Sequence, residues 1–204
     1  EGARVSSWRV WCRAWYLVVE FAELMMVKPK MIKRGTTPSF PLPLKNGRYI
    51  VLDTETTGFG SPEIVQIAAV DGATGDVLLE LMFDPIGEID PQATAVHGIR
   101  HEDVIGCCRF GELYDDLVSV IGGKVVVAHN ASFDKRALKH TCEVHGLPMI
   151  DAEWVCSMPI LGAATGNGRR VSLARAADAL GINFPTRHDA TADAVALWKM
   201  LQKV

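Results

Sequence analysis

The sequence has no excess of basic residues, and this sets a first limit on what the protein binds. It carries 21 Lys and Arg against 24 Asp and Glu, for a net charge of −3 at pH 7. Proteins that bind a polyanion by releasing counterions are usually strongly basic. Any contact with nucleic acid must therefore be local or assisted by metal ions.

Cysteine is scarce and follows no metal-binding pattern. The five cysteines form an odd set with neither a CxxC pair nor a neighbouring His pattern, so neither a disulfide framework nor a zinc site is favoured. They are Cys12, Cys107, Cys108, Cys142 and Cys156. A reducing cytosol fits this usage best, and we predict a cytoplasmic protein.

Long uncharged hydrophobic runs are missing from the amino-terminal region. The segment there that could be mistaken for a targeting sequence has an uncharged core of six residues, 14–19, between Arg13 and Glu20. This core is too short for a signal peptide or a membrane span. We therefore predict no contact with a membrane.

The composition that remains is that of a folded globular protein. Apolar residues make up 49% and charged residues 22% of the chain, which is too apolar for a disordered protein. A length of 204 residues suits one main domain. We divide the sequence into an amino-terminal part, residues 1–45, and a main domain, residues 46–204.

The amino-terminal part predicts an amphipathic helix over residues 8–27, followed by a basic, proline-rich linker. Six apolar side chains recur at alternating steps of three and four, which places them on one stripe of the helix. They are Trp8, Trp11, Trp15, Val18, Ala22 and Met25. The pattern leaves open whether this stripe packs on its own domain or docks a protein partner or a second copy.

The main domain predicts an α/β fold. Short gaps with Gly and Pro imply an antiparallel meander of the first strands, and helices then alternate with a further strand. The predicted strands are residues 49–53, 64–70, 77–83 and 125–128, and the predicted helices are residues 110–121, 132–145, 172–180 and 191–203. This succession indicates a mixed sheet, antiparallel meander plus parallel strands, with helices on both faces.

Two carboxylates, Asp53 and Glu55, end the first predicted strand, and the period of two puts both on one face. They would repel each other unless a hard cation such as Mg²⁺ or Mn²⁺ neutralises them. Asp-x-Glu at a strand end is common, so on its own this pair is more simply interpreted as solvated surface.

Two later segments place acids at the starts of predicted helices. In His129-Asn130-Ala131-Ser132-Phe133-Asp134, Asp134 lies in the first turn after an apolar strand. An Asp there is also favoured simply by the helix dipole. In the segment of residues 188–193, Asp193 lies one turn into the last helix and His188 precedes it. An exposed His is usually inert, but imidazole can accept a proton near neutral pH, as activating a hydrolytic water requires.

Taken in this order, the three segments resemble the DEDDh branch of the DnaQ-like exonuclease superfamily, which includes polymerase proofreading subunits. Asp53 and Glu55 match the first motif, Asp134 in His-Asn-x-x-Phe-Asp the second, and His188 with Asp193 the third. Three matches in the right order are highly specific.

The resemblance covers roughly residues 48–203 and implies a ribonuclease H-like fold and 3′-to-5′ exonuclease activity. It implies two divalent cations, Mg²⁺ or Mn²⁺, held by the four acidic side chains, with His188 as the general base. It also implies a nucleic-acid partner with a free 3′ end. The residues of the motifs are more similar to those of the proofreading branch. This similarity favours DNA over RNA as the substrate.

The resemblance also implies residues that contact the substrate. A turn beside the 3′ end, a segment beside the terminal nucleotide and the second motif supply them. They are Thr56, Thr57, Gly58, His97, Gly98, Asn130 and Phe133. Without the acidic motifs, a tight turn and a helix cap would explain the first five equally well.

Departures from the family pattern are modest. Gln66 stands where relatives often carry Glu, and Cys156-Ser157 stands where many have Asp-Thr. Five basic residues are candidates for further contacts with the nucleic-acid backbone, although a solvated surface is the plainer interpretation of each. They are Lys135, Lys139, Arg169, Arg170 and Arg187.

Two rival functions remain open from the sequence. The first is a 3′-to-5′ exoribonuclease or oligoribonuclease, because the metal site acts on phosphate and is indifferent to the sugar. The second is a nucleic-acid-binding adaptor that has lost catalysis and works through its amino-terminal helix. The presence of all five catalytic residue types argues against the adaptor.

Overall fold

The structure is a computed structural model, and it describes residues 48–166, 170–184 and 188–204. The predicted helix over residues 8–27, the linker after it and the domain division at residue 45 lie outside the described residues. Cys12, Arg169 and Arg187 also lie outside them.

Five strands form one mixed sheet in the order β3-β2-β1-β4-β5. β1 pairs with β2 and β2 with β3 antiparallel, whereas β1 with β4 and β4 with β5 run parallel. The strands are β1 (Tyr49–Thr56), β2 (Ile64–Asp71), β3 (Val77–Met82), β4 (Val125–Ala128) and β5 (Glu153–Cys156). The predicted meander with added parallel strands is confirmed. β1 extends three residues beyond its predicted end, which brings Glu55 into the sheet, and β5 was not predicted.

Seven helices and one 3₁₀ turn surround the sheet in the described part of the chain. The helices are α1 (Pro91–His97), α2 (His101–Val104), α3 (Tyr114–Ile121), α4 (Ala131–Val144), α5 (Ser157–Ala164), α6 (Leu173–Leu180) and α7 (Ala190–Leu201). The 3₁₀ turn, Phe110–Leu113, forms the start of what the sequence predicted as one helix. None of these helices has the length and apolar character needed to cross a membrane.

Each face of the sheet is buried against its own helices, as predicted. The odd-numbered residues of β1, such as Val51, pack with α6 and α7, and the even-numbered ones, such as Leu52, pack with α3 and α4. A central strand that is covered on both faces must be apolar nearly throughout. Tyr49 to Leu52 are indeed all buried.

The far end of α7 is fixed to the turn between β2 and β3. Trp198 Nε1 donates to the carbonyl of Gly72 at 3.2 Å. Gly75 in the same turn has a φ of +81°, and a Cβ there would lie 2.6 Å from the Trp198 ring. Glycine at position 75 is thus required by both backbone conformation and packing. The turn holds α7 against the sheet, and the opposite end of α7 carries the last acidic motif.

Candidate active site

The first two predicted catalytic carboxylates, Asp53 and Glu55, lie near the end of β1 and face the side of the sheet that α7 covers. Both line an open cleft at this edge of the sheet. Glu55 is 8% exposed, whereas Asp53 is half-buried. The alternation of the strand therefore brings the two carboxylates to one side, as the period of two predicts.

α7 brings the third motif to the same cleft. Asp189 precedes the helix and caps it, accepting a hydrogen bond from the backbone N–H of Ala192, and Asp193 follows in the first turn. His188 is exposed and has a φ of 60°. Ligand atoms of Glu55, His188 and Asp193 all lie within 4.8 Å of one another. Residues from the first and third motifs thus meet at distances at which they could share a cation.

Asp134 reaches this region from the opposite face of the sheet. It lies in the first turn of α4 and is 3% exposed. Its Oδ1 accepts a hydrogen bond of 2.9 Å from the hydroxyl of Thr54, which alternates with Asp53 and Glu55 along β1. Among the described residues Asp134 is not part of the cleft lining. Its carboxylate nevertheless interacts electrostatically with Asp53 and Glu55.

Three of the four acids have raised pKa values. Burial, followed by the charges of Asp134, Asp193 and Glu55, raises the pKa of Asp53 well above its ordinary value. Burial, followed by the charge of Asp193, raises the pKa of Glu55 to about 8. Burial raises the pKa of Asp134 to about 7, although the hydrogen bond from Thr54 opposes the shift. Such a cluster favours either protons or a cation of high charge, and its oxygen-rich donors suit a hard divalent ion.

Seven of the predicted site residues line the cleft. They are Asp53, Glu55, Thr56, His97, Phe133, His188 and Asp193. Val96, in the segment of residues 96–99 that the resemblance places beside the terminal nucleotide, also lines the cleft. Three further lining residues were not predicted: Thr54, Phe59 and Ala93. Phe59 and Val96 are 55% and 43% exposed. The sequence does carry a signal for Phe59, because it is an aromatic residue in a glycine-containing turn, where no hydrophobic core is available to bury it.

The turn after β1 is fastened by its own hydrogen bonds. The hydroxyl of Thr56 donates to the carbonyl of Gly58 at 2.8 Å. The hydroxyl of Thr57 accepts from the backbone N–H of Glu63, and the Thr57 carbonyl accepts from the N–H of Asp90. The predicted contact residues of this turn therefore also fix the geometry of the cleft rim.

His97 joins α1 to the end of β1. Its Nδ1 accepts a hydrogen bond from the N–H of Ile99, so its Nε2 carries the proton and donates to the carbonyl of Thr56 at 3.0 Å. Burial lowers the pKa of His97, although the Thr56 carbonyl opposes the shift. The ring is thus a neutral part of the cleft wall with both nitrogens occupied. Gly98, at a φ of 78°, ends α1 beside it.

The second motif contributes an aromatic wall. Asn130 adopts the left-handed conformation that Asn tolerates, and its carbonyl accepts from the N–H of Phe133 as α4 begins. The guanidinium of Arg136 lies 5.5 Å from the centre of the Phe133 ring. Two of the residues predicted to contact the nucleic-acid backbone also lie on α4. Lys135 is exposed, and Lys139, one turn later, forms an ion pair of 3.4 Å with Glu143. Arg170 is also exposed.

The chain matches the profile of the exonuclease family RNase_T over residues 50–201. A DNA polymerase III subunit epsilon-like protein of Rhodobacter capsulatus is 36% identical over an alignment of 167 residues, and the match covers 76% of this chain and 23% of that protein. The DNA polymerase III subunit epsilon of Escherichia coli is 37% identical over an alignment of 98 residues, and the match covers 43% of this chain and 40% of that protein. The chain thus spans less than half the length of either relative.

Solved structures share the fold. Exonuclease X in complex with 5′ overhanging duplex DNA is 27% identical, with a TM-score of 0.56 over 76% of this chain and 91% of that one. The nuclease domain of 3′hExo, a DEDDh family member bound to rAMP, has a TM-score of 0.58 at 15% identity, over 75% of this chain and 88% of that one. The predicted ribonuclease H-like architecture is confirmed. The chain belongs to the exonuclease family RNase_T. This family is part of the DnaQ-like superfamily, and the chain is of the DEDDh type.

Proposed function

We propose that the chain is a 3′-to-5′ exonuclease that releases nucleoside monophosphates from the 3′ end of DNA with the help of two divalent cations, Mg²⁺ or Mn²⁺. The observation that carries the proposal is the meeting of Glu55, His188 and Asp193 within 4.8 Å of one another in a cleft that Asp53 also lines. The raised pKa values of Asp53, Glu55 and Asp134 add support. Burial raises all three, neighbouring carboxylates raise those of Asp53 and Glu55 further, and bound cations would offset the cost of the charged forms.

Four carboxylates supply the cation ligands in this proposal. Asp53, Glu55 and Asp193 would hold the ions beside the attacking water, and Asp134 would support them from its place behind Thr54. Two such ions, when bound, activate a water, screen the phosphate and stabilise the leaving oxygen. Mg²⁺ and Mn²⁺ prefer oxygen ligands. His188 is therefore left available for proton transfer even though it lies within ligand distance.

His188 acts as the general base. It accepts a proton from the attacking water as the new P–O bond forms and the bond from phosphorus to the preceding 3′ oxygen breaks. The leaving 3′ oxygen takes a proton from solvent, so the products are a nucleoside monophosphate and a chain shortened by one nucleotide with a new 3′-hydroxyl. The exposed position of His188, ahead of α7, gives the imidazole access to solvent, to which it can return the proton.

The cleft walls fit the terminal nucleotide. Phe133 and Phe59 present aromatic rings on which a base can stack, at about 1–3 kcal/mol per stacked base, and Val96 adds apolar surface to the cleft. Stacking does not depend on base identity, as an exonuclease that removes successive nucleotides requires. We assign the turn of Thr56, Thr57 and Gly58 to the 3′ end. Gly98 and Asn130 act through the backbone geometry that they give the rim.

DNA is the favoured substrate. The relatives named above are subunits of DNA polymerase III or similar to them, and the structural neighbour at 27% identity holds duplex DNA. RNA is the alternative substrate for the same chemistry. A silent adaptor is not favoured, because every catalytic residue type of the family is in place.

We also propose that residues 1–45, with the predicted helix and linker, form a unit separate from the nuclease domain, residues 46–204. Its predicted helix would dock a partner protein or a second copy. The cysteine usage supports a cytoplasmic setting.

One assay tests the proposal directly. Purified chain is incubated with 5′-labelled single-stranded DNA, duplex DNA and RNA of matched sequence, in Mg²⁺, in Mn²⁺ and in EDTA. We expect ladders that shorten one nucleotide at a time from the 3′ end, faster on DNA, and no cleavage in EDTA. Internal cleavage, or ladders that persist in EDTA or with an Asp53→Asn variant, would contradict the proposal.

A further inference from the structure

Gln66 is a buried amide beside the acidic cluster. It is 3% exposed and lies on β2 directly across from Glu55 on β1. Residues that face each other in an antiparallel pair project to the same side of the sheet. The amide therefore lies on the side that α7 covers, next to a residue assigned to the cations.

Both ends of this amide bond to the start of α7. Its Oε1 accepts from the backbone N–H of Ala190 at 3.1 Å, and its Nε2 donates to Oδ2 of Asp189 at 3.3 Å. The other carboxylate oxygen of Asp189 accepts from the N–H of Ala192 at 2.9 Å and caps the helix. One amide and one carboxylate thus tie β2 to the first turn of α7.

This link lies immediately after His188. The φ of 60° at His188 is a conformation that costs a residue other than glycine about 1–2 kcal/mol. Such a conformation persists only where the surrounding structure determines it. Asp189 is the next residue in the chain, and Asp193 follows one turn later on the helix that Asp189 caps.

We propose that Gln66 and Asp189 are positioning residues that hold His188 and Asp193 against Glu55. A neutral amide at position 66 is what permits a carboxylate at position 189. A carboxylate at 66 would have no N–H to donate to Asp189 and would repel it across the same short distance. The inference rests on the proposed function, in which His188 is the general base and Asp193 a cation ligand.

The reciprocal swap of the two groups provides the test. Gln66→Glu alone should lower kcat by about 10- to 100-fold, as is common when a group supporting a metal site or its ligands is lost. The double variant Gln66→Glu with Asp189→Asn should regain most of kcat. Its new amide at position 189 can cap Ala192 through oxygen and donate through nitrogen to the new carboxylate. The double variant also has the same formal charge as the original chain.

Two further variants keep the test informative. Asp189→Asn alone retains the cap and removes one negative charge. Two N–H donors then face each other whichever way the Gln66 amide is turned. This variant should fold and still lose activity, which covers the case in which Gln66→Glu alone does not fold. Gln202→Glu is the matched control, because that amide donates to the hydroxyl of Tyr49 at 3.2 Å near the other end of α7. Its kcat should be unchanged.

The measurement is kcat for removal of the 3′ nucleotide from excess 5′-labelled single-stranded DNA, with Mn²⁺ titrated to saturation for each variant. Thermal unfolding of each variant is recorded in parallel. Loss of rate in Gln66→Glu or Asp189→Asn with recovery in the double variant supports the inference. Full rate in both single variants, or a double variant no faster than the slower single one, overturns it.

A His188→Ala variant separates failure of this inference from failure of the proposed function. If His188→Ala is slow but the variants at positions 66 and 189 are unaffected, only the positioning role is wrong. If His188→Ala keeps the full rate, the proposed general base is wrong, and loss of rate in the variants at positions 66 and 189 would then report on the placement of Asp193 alone.

Discussion

Replacing Glu55 by Gln should make the metal-free protein more stable at pH 8. Burial and the neighbouring carboxylates raise the pKa of Glu55 from 4.5 to about 8. The folded metal-free protein therefore keeps a proton on Glu55 that the unfolded chain releases. The stability contributed by that proton is fully present below pH 4.5 and is lost as the pH rises towards 8. Gln resembles the protonated form of Glu and has no acidic proton to lose as the pH rises.

The size of the effect follows from the two pKa values. A shift from 4.5 to about 8 sets an upper limit of about 4 kcal/mol on the gain at pH 8. Water entering the open cleft and rearrangement of the other acids reduce this, so we expect about 1–3 kcal/mol. For a chain of this size each kcal/mol raises the unfolding temperature by about 2–4 °C. At pH 5 the same substitution should gain about 1 kcal/mol or less.

The assay is thermal unfolding in EDTA at pH 5 and pH 8, for the original chain and for Glu55→Gln. Glu153→Gln, which changes an exposed carboxylate at the start of β5, is the matched control and should show no such gain. Added Mn²⁺ should stabilise the original chain more than Glu55→Gln at pH 8. If Glu55→Gln does not raise the unfolding temperature at pH 8, or raises it equally at both pH values, the reasoning that crowded buried charge destabilises the site is refuted.

Three further substitutions test other parts of the structure. Asp53→Ala should abolish cleavage in the labelled-DNA assay while far-ultraviolet circular dichroism stays unchanged, and lost dichroism would mean that Asp53 supports the fold instead. His188→Ala should slow single-turnover cleavage by about 10²-fold or more. A full rate would refute the general-base role. Gly75→Ala should lower stability in urea unfolding by about 1–3 kcal/mol, because it combines a φ of +81° with a clash against Trp198, and an unchanged midpoint would show that the turn relaxes freely.

Periodicity and end signals predicted the elements with the strongest patterns. β1 and β2 are long and apolar, and α4 and α7 carry clear starts, so their centres agree with prediction. β5 is only four residues and passes straight into α5 at Ser157. With no turn between them, the sequence offers no signal that separates strand from helix.

α1 was missed although its end signals are present. Asp90 caps it by accepting from the N–H of Gln92, Pro91 occupies the first helical position, and Gly98 ends it in the left-handed conformation. These are the preferred residues at each position. The helix is only seven residues long, too short for periodicity to support the caps.

The functional site was also predictable from the sequence only in part. The resemblance to the DEDDh exonucleases indicated which acids belong together, and the sequence pattern placed each of them near a strand or helix end. The hydrogen bonds that hold them could not be predicted, since Thr54 and Asp134 are 80 positions apart and Gln66 and Asp189 are 123 apart. Contacts at such separations depend on how the helices cross the sheet, which local patterns do not determine.

The acidic cluster also explains how a chain of net negative charge can act on a polyanion. In the proposed mechanism the cations provide the positive charge at the scissile phosphate, so a basic surface is unnecessary. The raised pKa values of Glu55 and Asp134 then link three events: protons leave, cations enter and the substrate phosphate binds. Because the attraction is confined to the cations, affinity for DNA should depend steeply on their concentration. For the same reason, it should depend less on monovalent salt than in a protein that neutralises many phosphates with Lys and Arg.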